Sequence, residues 1–85
     1  MTMKELTTKL SASLNMLKGF ACEGILCRGW WQVNDNVIEF KTEDDRYIRI
    51  RIDDVAEIGT CKIFDERNGF RKPYANVVLN NKARL

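Results

Sequence analysis

Arg46-Tyr47-Ile48-Arg49-Ile50-Arg51-Ile52-Asp53-Asp54-Val55 is the stretch on which the fold turns, because isoleucine alternates through it with arginine and tyrosine. A period of two is the mark of a half-buried strand. Ile48, Ile50 and Ile52 fall on one face and belong to a core, while Tyr47, Arg49 and Arg51 fall on the other and meet water or a partner. The preceding run repeats the pattern. Ile38 and Phe40 point inward with Glu39 and Lys41 outward, in a register that matches the isoleucines across a hairpin whose turn is Glu43-Asp44-Asp45.

Working outward, the rest of the chain from Phe20 reads as short β-type runs separated by turn signals, with strands expected at about 20–27, 29–33, 37–42, 46–52, 57–65 and 70–79. The first two are expected either as separate strands or as one bent strand. Gly24 and Gly29 would mark a bulge or tight bend in it. Asn34-Asp35-Asn36 is a polar turn, and Asp53-Asp54-Val55-Ala56 reads as a short turn, at most one 3₁₀ turn. Asn68-Gly69 supplies the two positive φ angles of a type I′ turn, so a long terminal hairpin is expected. Pro73 lacks a backbone donor, which places the last strand at an edge or bulges it. On that strand Ala75, Val77 and Leu79 face the core.

Ahead of the strands, Thr2-Met3-Lys4-Glu5 fits a capping box, and Met3, Leu6, Leu10, Leu14 and Leu17 recur at three- and four-residue steps. A helix over about 2–18 is therefore expected, with Lys18 suited to the dipole of its last turn and Gly19 ending it. Its leucine stripe must dock, since a helix this short is not stable alone. The fold class is α+β, a helix on a small, strongly bent antiparallel sheet of five to six strands. In outline this is similar to Sm-like and SH3-like small barrels, a resemblance that implies architecture and assigns no functional residue. One domain over 1–80 is expected, with 81–85 a frayed tail.

Composition bounds the function. The 85 residues are 45% hydrophobic and 31% charged, in the range of an ordinary globular domain rather than a disordered chain. A domain this small needs most of its apolar residues for its core. No run is long and apolar enough to span a membrane, and the first residues lack a signal-peptide pattern, so a cytoplasmic location is the expectation. Cys22, Cys27 and Cys61 are odd in number and are read as reduced. On one regular strand Cys22 and Cys27, five apart, would face opposite ways. With no histidine in the chain, neither a zinc site nor acid–base catalysis at neutral pH has its usual ligand or base. The adjacent pairs Asp44-Asp45 and Asp53-Asp54 sit where turns favour aspartate. No enzyme activity, metal or cofactor is expected.

Two features point to binding. Trp30 and Trp31 are adjacent, so on a strand one is inward and the other outward. With Tyr47, Arg49 and Arg51, the outward one would form an aromatic and basic surface of the kind found at interface hot spots and at base-stacking platforms. A plainer account pairs the arginines with Glu39 across strands. The terminal hairpin adds Arg67, Phe70, Arg71 and Lys72. Residues 35–60 hold eight acidic residues against four basic ones, a balance that repels a phosphate backbone and favours a larger protein as partner over nucleic acid. The expected function is an adaptor or inhibitor, of a size that suits a phage or mobile-element protein. A homodimer is also expected, through the 20–27 edge or the leucine stripe. The competing outcome is a barrel closed by pairing of its first and last strands, which leaves a monomer.

Overall fold

The structure is a computed structural model that describes residues 1–17, 19–66 and 69–80. Helix α1 spans Met3–Leu17, followed by β1 (Phe20–Cys22), β2 (Ile25–Gln32), β3 (Val37–Thr42), β4 (Tyr47–Arg51), a 3₁₀ turn at Ile52–Asp54, β5 (Val55–Asp65) and β6 (Phe70–Leu79). The helix begins where its capping box predicts. The Glu5 amide donates to Thr2 Oγ1 at 3.1 Å, and that hydroxyl donates in turn to Glu5 Oε1 at 3.1 Å. Lys18, the proposed type I′ turn at Asn68 and the tail 81–85 lie outside the described residues.

The six strands form one strongly curled half-barrel sheet in the order β4-β3-β2-β1-β6-β5. The registers Ile38↔Ile50 and Phe40↔Ile48 place the alternating isoleucines opposite the alternating residues of β3, as their periods require. The inward faces gather Phe20, Cys22, Cys27, Ile38, Phe40, Ile50, Ile52, Val55, Val77 and Leu79 into one core, which α1 covers with the fully buried Leu6 and Leu10. Phe20 meets Phe40 edge to face, ring centroids 4.9 Å apart. Ala75 packs against the same core, so the inward face of the last strand is the predicted one.

Four expectations are corrected. The run 20–27 is neither one strand nor a sheet edge: Glu23 and Gly24, both with positive φ, make a two-residue turn, and β1 folds back on β2 with Cys22 opposite Ile25 and Phe20 opposite Cys27. That fold-back brings Cys22 and Cys27 to the same inward face, because the turn interrupts the alternation that would otherwise separate them. β1 then lies in the middle of the sheet, between β2 and β6. The sheet is also mixed rather than wholly antiparallel, since β1 pairs with β6 in parallel through Ala21↔Asn76 and Cys22↔Val77. The first and last strands do pair, yet the barrel stays open between β4 and β5. Both surfaces expected to hold a second copy, the 20–27 strand and the Leu6 and Leu10 stripe, are used within the chain.

The edge logic for Pro73 holds in part. β1 is only three residues long and pairs with residues 76 and 77, so residues 70–75 of β6 extend beyond it with β5 alone as a laddered neighbour. Pro73 sits in that half, opposite Lys62. No helix among the described residues is long and apolar enough to cross a membrane.

Candidate functional site

The outer face of β2, β3 and β4 is built by strand parity. Trp31 lies opposite Glu39 and Glu39 opposite Arg49, while Gly29 lies opposite Lys41 and Lys41 opposite Tyr47. Trp30, paired with Phe40, points the other way and packs against the core. Trp31 is therefore the outward tryptophan, 41% exposed, and Tyr47 is 57% exposed. Their rings meet edge to face across β3 with centroids 5.6 Å apart, and Lys41 Nζ stands 5.9 Å from the Tyr47 centroid. Trp31, Tyr47, Arg49 and Arg51 thus form one surface.

The electrostatics of that surface are largely self-contained. Arg49 Nε donates to Glu39 Oε2 at 2.9 Å, which realises the plainer cross-strand pairing for one of the two arginines. Arg46 is bound to Asp44 at 2.8 Å, and Asp45 accepts Arg28 and also lies 3.7 Å from Lys41. Arg51, opposite Val37, makes no ion pair among the described residues. The carboxylates of the β3–β4 turn serve that turn. Thr42, buried, accepts from the Arg46 amide at 2.8 Å and hydrogen-bonds Asp44, and these side-chain bonds from Thr42 and then Arg46 hold the Asp44 carboxyl below its usual range. Asp45 takes the left-handed φ of 65° that closes a three-residue hairpin loop.

The remaining predicted residues lie elsewhere. Phe70, Arg71 and Lys72 are on the distal part of β6, which β1 separates from β2, so the sheet does not join them to the Trp31 surface. Phe64 opposes Arg71 and shares its face of the hairpin, while Phe70 and Lys72 project from the opposite face. Arg67 lies outside the described residues. Lys41 and the exposed Phe64 also belong to these surfaces, and neither was among the expected binding residues. The outward parity of Lys41 was visible in the alternation, whereas its contact with Tyr47 needed the register.

The thiols are poorly suited to nucleophilic chemistry. Burial pushes Cys22 up to about 12, with the nearby Cys27 and Glu23 adding to the shift. Cys27 is also pushed up to about 12 by burial. Cys61 is raised by burial as well. A thiolate, the reactive form, is scarce at neutral pH under those conditions. All three cysteines are free, and no metal-holding group of three or more His, Cys, Asp or Glu occurs among the described residues. No protein-family model matches this sequence, and neither the curated proteins nor the solved structures yield a match.

Proposed function

We propose that the chain is a non-enzymatic protein–protein interaction module that presents the outer face of β2, β3 and β4 to a larger protein. The observation that carries this reading is the exposed Trp31–Tyr47 pair on the same sheet face as Arg51, an arginine with no ion-pair partner among the described residues. Aromatic anchors and an arginine beside them are the residue types that dominate interface energetics. A cation left unpaired on the surface is available to a partner carboxylate at little desolvation cost. In this reading the module is an adaptor or inhibitor of a cytoplasmic complex, in the manner of a compact phage or mobile-element protein.

Nucleic acid is the second choice. The same aromatics could stack bases, but Arg28, Lys41, Arg46 and Arg49 each face a carboxylate, which leaves few cations for phosphates. The test combines Trp31→Ala with Tyr47→Ala, and Arg51→Glu separately, in chains checked for unchanged circular dichroism. Partner recovery by crosslinking from a native extract, with the crosslinked residues mapped by mass spectrometry, is expected to fall at least tenfold in both. Undiminished recovery, or crosslinks confined to other surfaces, would sink the proposal. A titration against short single-stranded RNA and DNA at about 50 mM and about 200 mM salt is expected to show no binding. Affinity that falls steeply between those salt concentrations would establish the nucleic-acid reading instead.

A further inference from the structure

β5 is an end strand of the sheet, and among the described residues the outer edge of Val55–Asp65 has no strand paired to it and β6 is its one laddered neighbour. Other free edges carry protection of the usual kind. β4 is only five residues long, two of them Arg49 and Arg51, and residues 70–75 of β6 include Arg71, Lys72 and Pro73. The centre of β5, Ile58-Gly59-Thr60-Cys61, carries neither a charge nor a proline. Gly59 adds an independent sign. Its φ is not in the left-handed region and a Cβ there would meet nothing within 4 Å, so the chain's own packing does not call for glycine. Glycine weakens a strand and often marks the close approach of another backbone.

We propose that the outer edge of β5 pairs with β5 of a second copy, antiparallel about a two-fold axis at Thr60, so that the two half-barrel sheets become continuous. The strand's own sequence argues for this occupant and this register. A two-fold axis normal to the sheet keeps each residue on its face. With the axis at Thr60, the two threonines oppose each other, Ile58 opposes Lys62, Glu57 opposes Ile63 and Gly59 opposes Cys61. No like charges meet, the bare Gly59 receives a larger side chain, and threonine pairs are favourable across strands. Moving the axis to Cys61 sets Glu57 against Asp65, and moving it to Lys62 sets the two lysines against each other. An axis at Gly59 puts the two glycines face to face and carries Phe64 past the start of the partner strand. The Thr60 register pairs Glu57 through Ile63 in one unbroken run, and the bulge between Val55 and Glu57 ends the ladder at either side. An open strand edge is a template for pairing with another chain, and closed two-fold dimers are the commonest homo-oligomers.

The test is light scattering coupled to size exclusion over a micromolar concentration series, together with two variants. The wild-type chain of 9.9 kDa is expected to run at twice that mass. Thr60→Lys sets two lysines opposite each other at the axis and is expected to weaken association roughly tenfold or more. Gly59→Cys, for which the structure has room, is expected to form a disulfide-linked dimer on oxidation that Cys61→Ala abolishes. A monomer at every concentration overturns the proposal, including one that instead takes up an extended strand of some other protein. A dimer indifferent to Thr60→Lys, or one that gives no Gly59→Cys crosslink, also overturns it.

Discussion

Cys22 and Cys27 show how one residue's surroundings become a property of the whole fold. Both thiols are buried on the inward face of the sheet and are pushed up to about 12 from an ordinary value near 9.0. Above pH 9 the unfolded chain loses protons that the folded chain keeps. Stability then falls with rising pH, by about 1.4 kcal/mol per pH unit for each thiol until the folded values are reached. The expected result is a urea midpoint that drops steeply between about pH 9 and pH 11 and drops much less in the Cys22→Ala, Cys27→Ala double variant. Equal pH dependence in the two chains would contradict the burial of these thiols. Little of this was legible beforehand. That the cysteines are free followed from their odd number, but the burial of Cys22 and Cys27 on a shared face did not, because it depends on a turn. The tryptophans were similar: adjacency required one to be inward and one outward, while choosing Trp31 as the outward one required the pairing Trp30↔Phe40.

At the scale of elements, the sequence was most informative where one face of a strand is buried and the other is wet. β3 and β4 alternate, and their register could be read directly from Ile38, Phe40, Ile48 and Ile50. β1 could not be read that way. Its three residues, Phe20, Ala21 and Cys22, are buried on both faces, so no alternation marks where it begins or stops. Gly24 and Gly29, alike in sequence, do different work. Gly24 holds a φ of +79° in the β1–β2 turn, where a side chain is strained, while Gly29 lies on the outer face beside the bulge at Cys27, with φ outside the left-handed region and nothing within 4 Å of a Cβ. Gly24→Ala is therefore expected to destabilise the chain by about 1–2 kcal/mol. Gly29→Ala is expected to be neutral, or stabilising by up to about 1 kcal/mol, through the entropy of the unfolded chain. Denaturant titrations of the two variants read both effects. A loss at Gly29 equal to that at Gly24 would show that the outer face needs a bare position for folding rather than for binding.

At the scale of the whole molecule, the chain crosses from one end of the sheet to the other within the 3₁₀ turn Ile52–Asp54, which joins β4 directly to β5. That crossing is possible because the sheet curls until its two end strands approach the same turn. The Ile52 amide is tied to Asn36 O at 2.8 Å on one side of it, and the Asn80 amide to Asp54 O at 2.9 Å on the other. The parallel seam between β1 and β6, which joins residues more than fifty apart in sequence, left no local pattern to read. With the sheet open between β4 and β5, it is α1 that shields the inward face, and Leu6 and Leu10 are as fully buried as Phe20 and Phe40. Helix and sheet therefore share one core and should melt together. Leu10→Ala removes a fully buried side chain from that shared core and is expected to cost about 2–5 kcal/mol. The loss should appear equally in the helical circular dichroism signal and in the fluorescence of Trp30, which packs against the core from β2. If the helical signal of Leu10→Ala instead disappears at a denaturant concentration where the Trp30 environment is intact, then the half-barrel holds its own core and α1 is an appendage to it.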